Sequence, residues 1–122
     1  MGRTLFERIG GDKTVKATVA RLYDKILGDP DLAPFFENVD VEVLRRSQTA
    51  FVTYAFGGTD TYSGRNLRMV HAAAVQKGLS DLHFDRVAEY LADSLQEMGV
   101  APDLIGEALT IVGSTRKDVL NR

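Results

Sequence analysis

The sequence contains no cysteine in its 122 residues, which excludes disulfides, thiolate metal sites, cysteine nucleophiles and the C-x-x-C-H cofactor-attachment motif in one step. Histidine is scarce as well. His71 and His83 are the only two, too few for a structural zinc site, which wants four ligands. A surplus of one charge is also missing: 15 Lys and Arg stand against 17 Asp and Glu, a formal net charge of -2, and the basic residues are scattered. Nucleic acid and membrane are therefore not expected partners. No stretch approaches membrane-spanning length. The opening "MGRTLFERIGG" has no apolar core of signal-peptide length, and Phe6 stands where N-myristoylation wants serine or threonine. A cytoplasmic location is the expectation.

What is present reads as an ordinary soluble globular chain, 44% hydrophobic and 26% charged, long enough for one domain over residues 1–122 that buries its own core. Breakers divide it into helical segments, and no segment alternates convincingly as a strand. Thr4 with Glu7 forms a capping box for a very short helix that stops at Gly10-Gly11. Asp12 is placed to cap a second helix to about Leu27, with Val15, Val19, Leu22, Tyr23 and Ile26 on one face. "DPDLAPFF" allows no more than a turn of helix. Asp40 opens a third helix whose inner face carries Val41, Leu44, Gln48, Phe51, Val52 and Ala55, ending at Gly57-Gly58. After the loop "GGTDTYSG", a helix from about Arg65 to Gln76 carries His71. Ser80 caps the next, with Phe84, Val87, Leu91, Leu95 and Met98 as its stripe, and Pro102 opens the last, with Ile105, Leu109 and Val112 inward. The fold class is all-α, with one core and roughly six helices.

Three polar residues break this pattern by falling on apolar stripes: Tyr23, Gln48 and His71. Burying each costs about 1–3 kcal/mol unless it is hydrogen bonded or ligated. Any one alone is better read as a core residue that finds a backbone carbonyl, but three on separate helices point to a shared cavity. That cavity would hold one imidazole, one phenol and one amide. It has no carboxylate dyad, no serine nucleophile and no phosphate-cradling glycine loop, so acyl and phosphoryl transfer are poorly supported. One neutral imidazole on an apolar wall is enough to hold haem iron.

The motifs "LFERIGG", "RLYDKILGDPDLAPFFENVD", "RRSQTAFVTYAFGGTDTYSGRNLR", "VHAAAV", "GLSDLHFDRV" and "KDVLNR" follow one another in the order and spacing of a known family. Through them nearly the whole chain resembles the truncated haemoglobins of the first group. The resemblance implies a truncated globin-like two-over-two helical sandwich around non-covalently held haem b. His71 corresponds to the proximal iron ligand, Phe36 to the phenylalanine packed on the haem, Tyr23 to the distal tyrosine that donates to the bound gas, and Gln48 to the glutamine that supports it. Leu44 and Ser47 fall on the remaining distal positions, and Phe51, Tyr62, Leu67, Val70, Leu79, Phe84 and Val87 complete the implied pocket. Some relatives carry a distal histidine ligand where Ser47 stands, so a five-coordinate ferrous iron is implied here. Thr115 stands where a few cyanobacterial relatives attach haem covalently through histidine. His83 begins its helix, and with Phe84 toward the pocket it should turn to the rim or solvent.

The function implied is binding of diatomic gases, O2, NO and CO, with nitric oxide dioxygenation as the family's best supported chemistry. Tyr23 and Gln48 are then the catalytic donors and an external reductase the electron source; a monomer or weak dimer is expected. A non-enzymatic oxygen carrier, reservoir or sensor is the second reading. A haem-free helical interaction module, with the three polar residues as ordinary core, is the third.

Overall fold

The computed structural model describes residues 3–37, 39–58 and 67–122, with the backbone alone at 67–70. Thr4 Oγ1 accepts the Glu7 amide at 3.2 Å and starts α1, Leu5–Ile9, which Gly10 ends at φ 123°. The second helix, α2, Asp12–Leu27, is not capped by Asp12 as expected: Gly11, at φ 77°, takes the cap position. Two consecutive left-handed glycines make the turn between α1 and α2 so tight that Asp12 is already helical. Its carboxylate still sits favourably in the first turn, 3.0 Å from Lys16 Nζ.

A 3₁₀ turn, Ala33–Phe36, is all the helix that the proline-rich segment forms. Asp40 Oδ1 then accepts the amides of Glu42 and Val43, at 3.0 and 3.4 Å, and opens α3, Val41–Ala55. This helix is closed by Phe56 and by Gly57 at φ 87°. Beyond lie α4, Leu67–Gln76, and α5, Asp81–Glu97, then α6, Pro102–Gly113, with proline in its first turn as expected. Arg65 and most of the "GGTDTYSG" loop fall outside the described residues. A last short helix, α7, Arg116–Val119, was not expected, because four residues carry no readable period.

Packing follows from the stripes. Val15, Val19, Leu22, Tyr23 and Ile26 are all buried and meet Leu91 and Leu95 of α5 in the core. Each such side chain contributes about 1.5–3 kcal/mol on leaving water. The helix α3 packs on α2, and α6 packs on α5; α2 joins these two pairs by crossing α5. The helix α4 packs mainly against α7. Two helices over two is thus the arrangement of the four long elements. The Phe6 amide donates to Phe56 O at 2.8 Å and ties the stub α1 to the end of α3.

One helix departs from this scheme. None of the residues of α3 is buried, although Leu44, Phe51, Val52 and Ala55 share a face; all four are only half-buried. Leu44, Val52 and Ala55 pack against the core cluster without being closed off from water.

Candidate functional site

The Tyr23 ring points from α2 beneath α3, and only 2% of the residue is exposed. Its hydroxyl is hydrogen bonded to the side chain of Gln48 on α3. Burial pushes the phenol up to about 12, and the Gln48 bond offsets part of that rise. Tyr23 therefore remains a neutral O–H donor across the physiological range. Phe36, from the 3₁₀ turn, meets the Tyr23 ring edge-on, with centroids 5.9 Å apart and planes at 87°. Two of the three polar residues singled out in the sequence are thus brought together, with Phe36 beside them.

His71 stands on a different helix, α4, and is half-buried. Leu44, Phe51, Leu79 and Val87 are half-buried too, and Phe84 is buried. Ser47 is exposed: one residue before Gln48 is about 100° around the helix, which turns Ser47 outward while Gln48 turns toward Tyr23. Tyr62 and the side chains of Leu67 and Val70 lie outside the described residues.

Phe84 and His83 are each met by a residue from another segment. The guanidinium of Arg116, on α7, lies 4.5 Å from the Phe84 ring centroid. Arg116 also pairs with Asp81, at 2.8 Å, and with Asp85, so α7 is latched over the start of α5. His83 is half-buried. Its Nδ1 lies 3.1 Å from the Ser80 amide, taking the place of the glutamate in a capping box, and its ring meets Phe35 edge-on at 5.0 Å. The lone pair of Nδ1 is engaged in capping its own helix.

The donor set itself decides which cofactor fits. Among the described residues no three His, Cys, Asp or Glu side chains gather to hold a bare metal ion. A single imidazole suits a metal that brings its own equatorial ligands, and the half-buried apolar residues of α3 suit a flat apolar ring that carries them. Haem meets both conditions. His71 would hold the iron, and the half-buried apolar residues Phe36, Leu44, Phe51, Leu79 and Val87 would be available to pack on the ring.

These features define the class, a small all-α globin. The family model described as bacterial-like globin matches residues 4–121. The group 1 truncated hemoglobin GlbN of Synechocystis sp. is 45% identical over 122 residues, covering 98% of each chain. Among solved structures, the 2/2 hemoglobin of Synechococcus sp. PCC 7002, in the cyanomet state with covalently attached heme, superposes with a TM-score of 0.94 at 46% identity, covering 98% of this chain and 100% of that one. The truncated hemoglobin of Tetrahymena pyriformis in its Fe(III) form gives 0.90 at 38% identity, covering 97% and 98%. The chain belongs to the bacterial-like globins, as a group 1 truncated hemoglobin with the two-over-two helical fold. Haem-based binding of diatomic gases is the property of that family which it shares.

Sequence reasoning missed one polar cluster, in which the Asp29 carboxylate is met by Tyr90 and Arg86 of α5. Arg86 and Tyr90 are four apart beside the apolar stripe of that helix, a spacing that could have flagged them.

Proposed function

We propose that this globin binds oxygen at a five-coordinate ferrous haem b and uses it to oxidise nitric oxide to nitrate. The observation that carries this reading is the Tyr23–Gln48 pair, a neutral phenol and an amide set together beneath an otherwise apolar helix face. Bound haem supplies the iron that takes up the gas and the electron that the dioxygenation consumes, ending ferric. The chain's own part is to orient and to exclude. The Tyr23 hydroxyl donates toward the side of the pocket where negative charge develops on oxygen, and Gln48 holds that hydroxyl in place. Oxygen gains more from such donors than carbon monoxide does. At roughly 1.5–3 kcal/mol for a hydrogen bond to a charged acceptor, oxygen release slows by about tenfold to a hundredfold. Slow release suits reaction in place better than delivery.

His71 is the proposed iron ligand. Ser47 offers no imidazole, and the outward direction of its side chain favours an open sixth position. Thr115 takes the place of a covalently attaching histidine and donates its hydroxyl to the Val112 carbonyl at 2.7 Å, so the haem is proposed to be extractable. Restoring ferrous iron requires an external reductase in the same compartment, proposed to be the cytoplasm.

The test is to mix reduced, oxygen-saturated holoprotein with nitric oxide. Stoichiometric nitrate with ferric haem is expected. Oxygen that is released without forming nitrate would move the chain to the carrier or sensor reading, and a ferrous spectrum sharply split before oxygen is added would overturn five-coordination.

A further inference from the structure

Asp29 follows the C-cap of α2 and is a carboxylate only 7% exposed. Three donors meet it. Tyr90 Oη donates to Oδ2 at 2.5 Å, the Asp31 amide donates to Oδ1 at 2.8 Å, and Arg86 Nη1 lies 3.4 Å from both oxygens while bonding Asp31 Oδ2 at 2.7 Å. The Tyr90 and Asp31 bonds hold the carboxyl below its usual range, and the Arg86 charge adds to them. Its backbone carbonyl also accepts the amides of Leu32 and Ala33, at 3.1 and 2.8 Å. The segment from Asp29 to Phe36 is therefore fixed from within at its start and clamped to α5 by side chains.

The clamp continues toward the distal side. His83, Arg86 and Tyr90 recur at intervals of three and four, so they share one face of α5. His83 meets Phe35, and the next residue, Phe36, meets the Tyr23 ring. The buried carboxylate is thus linked to the phenol proposed to greet the gas through the shared face of α5 and the backbone of the 3₁₀ turn. Apolar side chains would join the same surfaces at less desolvation cost. What a buried carboxylate adds is direction, because it accepts only along its lone pairs from donors in fixed places.

We propose that Asp29, held by Tyr90 and Arg86, is a positioning residue for gas discrimination: it fixes the 3₁₀ turn so that Phe36 braces the Tyr23 ring and aims its hydroxyl. The inference rests on the reading of Tyr23 as the donor to bound oxygen. Without the brace the ring keeps its Gln48 bond but gains freedom about its own torsions, and oxygen loses more than carbon monoxide does.

The test uses haem-loaded full-length protein and compares Tyr90→Phe, which removes one hydroxyl, with Asp29→Asn, Tyr23→Phe and the double variant Tyr23→Phe/Tyr90→Phe. Oxygen and carbon monoxide dissociation rates are measured for each, with the C–O stretching frequency of bound carbon monoxide as a report on nearby donors. Tyr90→Phe and Asp29→Asn should each speed oxygen release by about threefold to tenfold, part of what one hydrogen bond to a charged acceptor contributes. Carbon monoxide release should stay put, the C–O frequency should move in the direction seen in Tyr23→Phe, and the Tyr90 change should add nothing in the Tyr23→Phe background. If Tyr23→Phe speeds oxygen release and the clamp variants do not, or if they speed both gases alike, the positioning role is overturned while the reading of Tyr23 stands. If Tyr23→Phe itself leaves the oxygen to carbon monoxide ratio unchanged, the reading falls and the positioning role with it.

Discussion

The hydroxyl of Tyr23, on α2, is hydrogen bonded to the side chain of Gln48, on α3, so two residues 25 positions apart form one polar unit under an apolar face. Its removal should be selective between gases. In Tyr23→Phe the oxygen dissociation rate should rise about tenfold to a hundredfold, the value of one hydrogen bond to a charged acceptor. Carbon monoxide dissociation should change little. Stopped-flow ligand exchange on holoprotein measures both, and equal acceleration of the two gases would count against a polar distal role.

The same tyrosine gives the fold an alkaline limit. Burial lifts the folded-state value to about 12, against about 10 in an unfolded chain. The fold keeps the proton longer, so this contribution is intact below pH 10 and is lost as pH rises toward 12, when unfolding releases the proton. The loss amounts to about 2–3 kcal/mol at its end, at about 1.4 kcal/mol per unit. Urea unfolding of the wild type and of Tyr23→Phe at pH 8 and at pH 11 should show the wild type losing ground to the variant as pH rises. A pH-independent difference would mean that the phenol ionises normally.

His71→Ala should abolish stable haem uptake, since no second imidazole of the described chain is free to replace it: His83 is occupied with the Ser80 amide and Phe35. Absorbance titration with hemin checks this, and added imidazole should partly restore a haem spectrum by entering the space of the lost ring. A normal spectrum in the variant without imidazole would sink the assignment of the iron ligand.

The outline of the fold was open to reading from sequence because its signals are local. Thr4, Asp40, Ser80 and Pro102 start helices, and Gly10, Gly57, Gly78 and Gly99, at positive φ, follow the ends of α1, α3, α4 and α5. The apolar stripe of α2 was equally plain, since a 16-residue helix repeats its period several times. Tyr23, Gln48 and His71 stood out as polar residues on such stripes. Less legible was whatever depends on contacts between distant segments. Nothing local shows that Asp29 will be met by Tyr90 across 61 residues, that Arg116 will cover Phe84, or that the His83 ring will meet Phe35. Ser47 was placed by correspondence alone, and the helix turn carries it outward.

Gly58 has no room for a side chain. A Cβ there would lie 2.7 Å from Phe6 Cγ and 2.8 Å from Thr53 Cγ2, at the point where α1 is tied to the end of α3. Gly58→Ala should therefore displace the Phe6 ring and cost about 1–3 kcal/mol, the usual toll of overpacking. The double variant Gly58→Ala/Phe6→Leu should recover part of that loss in urea unfolding. A neutral single variant would mean that α1 shifts freely, contrary to its Phe6–Phe56 backbone bond of 2.8 Å.

Thr18 offers the opposite case, a site where a substitution should stabilise. It lies on the buried face of α2, 2% exposed, and among the described residues its Oγ1 has no hydrogen-bond partner. Threonine and valine have nearly the same shape and similar helix propensity, so Thr18→Val leaves the packing with Val15 and Leu22 in place. What changes is that a desolvated hydroxyl disappears, and an unsatisfied buried group costs about 1–3 kcal/mol. The variant should gain roughly 1 kcal/mol or more, seen as a higher urea midpoint with an unchanged slope. Thr18→Ser keeps the hydroxyl and deletes the methyl, and it should lose stability. If Thr18→Val lowers the midpoint instead, the hydroxyl is bonded in solution and its energetic role is the reverse of the one argued.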